Sequence, residues 1–137
     1  MEFSLLDKSN YLKGLLIIAR KDNQLAEQEK NILKSIAQRL GFASDFYDET
    51  IKHLLLNKHI SDEPIKFSNE KIASSFISDG LKLAFSDKKI HGDEMDWLKA
   101  TAIKNSLEEN WFNKELEKIR EESNQLVQSD LTLYSII

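Results

Sequence analysis

The sequence predicts an all-α fold, a helical bundle of about six to seven helices in a single domain spanning 1–137. Three observations predict it. Apolar residues recur at three- and four-residue spacing along most of the chain. Breakers are few: one proline, Pro64, and four glycines, Gly14, Gly41, Gly80 and Gly92. The sequence also overlays itself at a shift of 65 residues, which predicts an internal pseudo-twofold duplication of a helix–loop–helix unit. With 137 residues, 41% of them hydrophobic and 31% charged, the chain is long enough to bury a core without covalent staples.

Tyr11, Leu15, Ile18 and Ala19 form one helical stripe, with Leu12 and Leu16 as a second beside it. A helix apolar on more than one side is expected at the centre of its fold. Asp22-Asn23-Gln24 interrupts, and a second helix is expected from about Glu27 to Leu40, with Ile32, Leu33, Ile36, Ala37 and Leu40 inward. Gly41 stands where a left-handed C-terminal cap is wanted. Ser44-Asp45 starts a third helix carrying Phe46, Ile51, Leu54 and Leu55, and the polar stretch 57–67 with Pro64 reads as the main surface loop.

Ser68 is placed to cap a fourth helix bearing Ile72, Ala73, Phe76, Ile77, Leu81 and Ala84. After the interruption at 87–91, a fifth carries Met95, Trp97, Leu98 and Ala102. Ser106-Leu107-Glu108-Glu109 has the spacing of a capping box, so a long last helix is expected, with the stripe Phe112, Leu116, Ile119, Ser123 and Leu126. The apolar tail 131–137 is expected to pack down on the bundle.

At the 65-residue shift, Ala19/Ala84, Asp22/Asp87, Glu29/Glu94, Leu33/Leu98, Lys34/Lys99 and Ala37/Ala102 are identical, and Leu25/Ile90 is conservative. Two such units can each cover the apolar face that the other cannot bury alone.

Each unit sets an aspartate at the end of its first helix and a glutamate seven residues later: Asp22 and Glu29, Asp87 and Glu94. Two readings stand. With Ala26 and His91 as N-caps, both glutamates occupy the third helical position, where a carboxylate meets the positive end of the helix dipole. Alternatively the four acids converge on a hard divalent cation, Ca²⁺ or Mg²⁺, which takes oxygen ligands, with Asp93 or Asp96 supplementing them. The second loop is not an EF-hand, because Lys89, His91 and Leu98 fall where that loop needs ligands.

The stretch Gly80-Leu81-Lys82-Leu83-Ala84-Phe85-Ser86-Asp87-Lys88-Lys89-Ile90-His91-Gly92-Asp93-Glu94, followed by Trp97-Leu98, resembles the motif of the TerB-like tellurite-resistance family. Ala19-Arg20-Lys21-Asp22-Asn23-Gln24-Leu25, followed by Glu27 and Glu29, is similar. The resemblance covers most of the chain, from Tyr11 into the last helix. It implies a helical bundle with internal pseudo-symmetry and a role in bacterial tellurite or chemical-stress resistance. It also implies metal-binding acids, which by position are Asp22, Glu29, Asp87 and Glu94. The chain departs from the family in having Asn23 and Lys88 where glycine is usual, and Ala26 and His91 in place of a hydroxyl cap.

Other functions have little to stand on. The absence of cysteine excludes disulfides, thiol catalysis and thiolate metal sites. A net charge of −4, from 19 basic and 23 acidic residues, argues against a general nucleic-acid binder. No apolar run is long enough to span a bilayer, and Met1-Glu2-Phe3-Ser4 has no signal-peptide character, so a cytoplasmic protein without membrane insertion is expected.

His53, His59 and His91 are too scattered for a ligand set. No Gly-x-Ser-x-Gly elbow or glycine-rich phosphate loop marks an enzyme. Trp97 and Trp111-Phe112 sit on apolar stripes and are expected in the core. Lys52, His53, Lys58 and His59 form a small basic cluster, either a solvated helix end or a docking patch. The expectation is a non-enzymatic binding or scaffold domain with protein partners, a membrane-associated complex among the candidates, and a divalent metal as the one candidate cofactor. A divalent-metal-binding protein is the alternative, and an enzyme with a pocket between the units a third reading.

Overall fold

The computed structural model describes residues 3–21, 27–43, 45, 47–49, 52, 63–85, 92–122 and 133, with the side chains of 20, 21, 27–29, 32 and 122 left out. Its architecture is an all-α bundle. Five helices stand among the described residues: α1 (Leu5–Lys21), α2 (Glu27–Arg39), α3 (Glu70–Phe85), α4 (Gly92–Lys104) and α5 (Glu109–Glu122). Further helical residues surround Tyr47. The starts of α1 and α3 lie 65 residues apart, as do both the starts and the ends of α2 and α4.

Helix α3 is the centre. Buried residues run from Ile72 to Ala84 and include Ser75, Ser78, Asp79 and Gly80 as well as the apolar positions. It packs on α1, α4 and α5. Helix α1 is also apolar on several sides, and Tyr11, Leu12 and the run Leu15 to Ala19 are all enclosed, as its double stripe predicts. Leu33, Ile36, Ala37 and Leu40 of α2 face the core, as do Trp97, Leu98 and Ala102 of α4 and Phe112 and Ile119 of α5. Met95, Trp111 and Leu116 pack against it partly buried. The Ile32 side chain and residues Ser123, Leu126, Phe46, Ile51, Leu54 and Leu55 lie outside what is described. Of the tail, Leu133 is described and fully buried.

Helix α1 crosses α3 closely because of two glycines. A Cβ at Gly14 would lie 2.4 Å from the Phe76 ring, and one at Gly80 would lie 2.7 Å from Leu98 and 2.9 Å from Ile18. The contacts Asp7 to Ser68, Tyr11 to Ser75, Gly14 to Phe76 and Ile18 to Gly80 advance together. The two helices therefore run in the same direction, and α2 and α4 start from the same end of the bundle.

Three local expectations are corrected. The α3 N-cap is Asn69, whose Oδ1 accepts the Ile72 amide at 2.8 Å; Ser68 instead gives its amide and its hydroxyl to Asp7. Ser106 is not the cap of α5. It sits at φ 63° and closes α4: its amide reaches the Ile103 carbonyl and that of Leu107 reaches Ala102, both at 3.0 Å, a Schellman motif. The same motif closes α2, with Gly41 at φ 93° as expected, and Phe42 bonded back to Ala37 at 2.9 Å. Third, the end of the 57–67 stretch is no simple surface loop, because Ile65 and Phe67 enter the core. Alternation of buried 65 and 67 with exposed 66 is the signature of an extended segment with one face inward.

Candidate functional site

Of the four acids Asp22, Glu29, Asp87 and Glu94, Glu94 is the one whose side chain is described. It is the third residue of α4, where the unsatisfied amides and the dipole of the helix start favour a carboxylate. It is only 2% exposed. Its Oε2 is enclosed and accepts no hydrogen bond, although the residue does interact within the fold. Glu29 holds the matching third position of α2, with its side chain outside the described set. Asp22 and Asp87 lie outside the described residues altogether.

The parallel course of α1 and α3 brings the starts of α2 and α4 to one end, so the Glu29 and Glu94 backbones share that end. Asp93 and Asp96 are exposed. Among the described residues, no three His, Asp or Glu side chains form a group that could hold a metal ion.

A second polar cluster lies in the core and was not legible as a site. The Tyr11 hydroxyl donates to Asp79 Oδ2 at 2.5 Å, and Ser75 Oγ lies 2.9 Å from the same hydroxyl. Because the tyrosine proton goes to Asp79, the Ser75 hydroxyl donates to the tyrosine oxygen. Asp79 Oδ2 also accepts the Leu133 amide at 3.0 Å. Burial first, then the Asp79 charge and the hydrogen bond to it, push the Tyr11 hydroxyl well above its ordinary range, so it stays protonated and acts as a donor. Tyr11 and Asp79 have no exposed surface and Ser75 only 2%. The cluster can join α1, α3 and the tail, but it offers no route to a substrate.

Asp7 and Asn105 hold the extended segment. Ser4 caps α1, accepting the Asp7 amide at 3.1 Å and donating its hydroxyl to Asp7 Oδ2 at 2.9 Å, so that one hydroxyl both caps the helix and holds the carboxylate of its third residue. Asp7 also receives the Ser68 amide at 3.0 Å and the Ser68 hydroxyl. Burial pushes the Asp7 carboxyl up, but the Ser68 hydroxyl, the Ser68 amide and the Ser4 hydroxyl together hold it below its ordinary value. Asn105 accepts the Phe67 amide at 2.7 Å and donates to the Ile65 and Thr101 carbonyls at 2.7 and 2.8 Å. Its side-chain amide thereby pairs the segment as a neighbouring strand would. Lys104 and Lys66 add bonds to the carbonyls of Pro64 and Lys104 at 2.9 and 3.3 Å.

Of the aromatic residues expected in the core, Trp97 and Phe112 are buried, whereas Trp111 packs against the core only partly buried. Trp97 meets Phe76 edge-on at 6.0 Å, and Phe76 meets Tyr11 edge-on at 5.3 Å, the geometry favoured by ring quadrupoles. Of the basic cluster, Lys52 is exposed; His53, Lys58 and His59, like His91, lie outside the described residues. No described helix is long and apolar enough to cross a membrane. No family model, curated protein or solved structure matches the chain.

Proposed function

We propose that the chain is a non-enzymatic binding or scaffold domain of the TerB-like kind, acting through protein partners in a bacterial tellurite or chemical-stress response, in the cytoplasm and against a membrane-associated complex. The observation that carries this reading is the use made of the buried polar groups. Asp7, Ser75, Asp79 and Asn105 each make hydrogen bonds to another helix or to the segments at 63–68 and 133, and Ser78 donates to Glu115 of α5 at 3.0 Å. Such groups assemble a rigid helical body; an enzyme needs polar groups converging on an accessible cleft. The 65-residue offset of the helix boundaries supports reading the two units as a duplication.

The second reading is a divalent-metal protein using Asp22, Glu29, Asp87 and Glu94. Two observations favour it: Glu94 is buried at a helix start, and the α2 and α4 starts share one end. Backbone-amide NMR of the metal-stripped protein, titrated with Ca²⁺, Mg²⁺ and Zn²⁺ beside an Asp87→Asn variant, separates the two. The scaffold reading expects spectra unchanged at millimolar ion. Saturable shifts at 22–29 and 87–94, lost from the second loop in the variant, would replace it with the metal reading.

A further inference from the structure

Three large apolar side chains are exposed among the described residues: Leu5 at 72%, Leu6 at 69% and Ile103 at 59%. All three stand at one end of the bundle. Leu5 and Leu6 open α1, and Ile103 lies in the last turn of α4. These two helix ends meet at a common joint, because the consecutive amides of Phe67 and Ser68 go to Asn105 and Asp7. Each unit serves as a control for the other. At the 65-residue offset, Leu5, Leu6 and Ile103 correspond to Glu70, Lys71 and Gln38, which are exposed too. The same backbone positions therefore accept charged or polar residues, and folding does not account for the apolar ones.

Helix α1 is basic in a chain of net charge −4. It contains Lys8, Lys13, Arg20 and Lys21 against one acid, Asp7, which is buried and turned to Ser4 and Ser68. At 3.6 residues per turn, Leu5, Leu6, Ser9 and Lys13 share one side of α1, with Lys8 at its edge. Asp7, Tyr11 and Gly14 occupy the opposite, inward side. Glu63 and Glu70 are exposed at the same end of the bundle, so the basic excess belongs to this side of α1 and not to the whole end. We propose that this side of α1 docks on an anionic membrane surface. Leu5 and Leu6 enter the boundary between headgroups and acyl chains, and Lys8 and Lys13 lie against the lipid phosphates. The inference deepens the membrane-side part of the proposed function and rests on it, naming lipid as what this face meets. A patch of this size gives reversible adsorption, not insertion.

Flotation of the full-length protein with lipid vesicles tests this face. The parent is expected to float with vesicles of phosphatidylcholine mixed with phosphatidylglycerol, to leave them as salt is raised, and to ignore vesicles of phosphatidylcholine alone. Leu5→Glu with Leu6→Lys copies the residues of the second unit and keeps the net charge. It is expected to keep the parent's urea midpoint and to bind the mixed vesicles about tenfold more weakly or worse. Lys8→Gln with Lys13→Gln is expected to weaken binding to the mixed vesicles as well. A parent that floats with neither vesicle overturns the lipid face, and so does binding that neither pair of substitutions weakens. Because the vesicles carry no protein, either result leaves a protein partner at the membrane standing. A parent that self-associates in sedimentation equilibrium, and is monomeric with Leu5→Glu and Leu6→Lys, assigns the face to a second copy and overturns it too.

Discussion

The α1–α2 unit and the α3–α4 unit close their second helices with the same backbone turn but different residues. The left-handed position is Gly41 in the first and Ser106 in the second, 65 residues on. The residue before it is Leu40 in the first, buried in the core, and Asn105 in the second, also buried but clamped to Ile65 and Phe67. Helix starts differ likewise: Ser4 with Asp7 caps α1, and Asn69 caps α3. The backbone repeats where hydrogen-bond closure demands it, whereas the side chains diverge wherever a unit meets something the other does not. Those divergent positions record the joint between the units.

The largest expected effect comes from erasing the sharpest difference. Asn105→Leu would give the second unit the residue of the first, and would leave the Phe67 amide and the Ile65 carbonyl buried without partners. At about 1–3 kcal/mol for each orphaned group, the loss should be about 3 kcal/mol or more by urea unfolding. An Asn105→Leu protein as stable as the parent would mean that the clamp contributes nothing.

A smaller effect, and one that titrates, is expected at Asp7. Its carboxyl is held below its ordinary value, so its contribution is full above about pH 4, where the carboxyl of the unfolded chain is also ionised. It is then lost as the pH falls through the lowered value of the folded state. The stability difference between the parent and Asp7→Asn should accordingly shrink on acidification from pH 6 towards pH 2; a difference that is constant or grows would remove this role.

The smallest effects are a matched pair. A β-carbon in left-handed backbone is strained, by about 1 kcal/mol. Gly41→Ser should therefore lower stability and Ser106→Gly raise it by similar amounts, and equal signs would show that the two turns are not energetically alike.

Much of the bundle was legible because its cause is local. Apolar spacing placed Leu33, Ile36, Ala37, Leu98 and Ala102 in the core, and Gly41 announced its own turn. Position three of a helix placed Glu94 in the first turn of α4, but nothing local announced that its carboxylate would be buried. Ser68 and Ser106 were misread because a hydroxyl beside a helix start looks the same in sequence whichever neighbour it serves. Ser68 serves Asp7, sixty-one residues away, and Ser106 belongs to the helix before it. Asp79 and Asn105 were missed for the same reason. Their partners, Tyr11, Phe67 and Leu133, are distant in the chain, and the pairing of buried polar groups leaves no periodic trace. Of the four candidate acids, the structure describes only the Glu94 side chain, and the stripes around it gave the fold but not the chemistry.

The central position of α3 has a consequence for the order of synthesis. Helix α1 leaves the ribosome with two apolar stripes and with Gly14 open, yet the ring that closes that opening, Phe76, lies 62 residues later. At about 5–20 residues per second, the nascent chain waits roughly 3–12 seconds for it. Throughout that interval Tyr11, Leu15 and Ile18 are without their final cover, so completion of the core around α1 waits on the synthesis of α3.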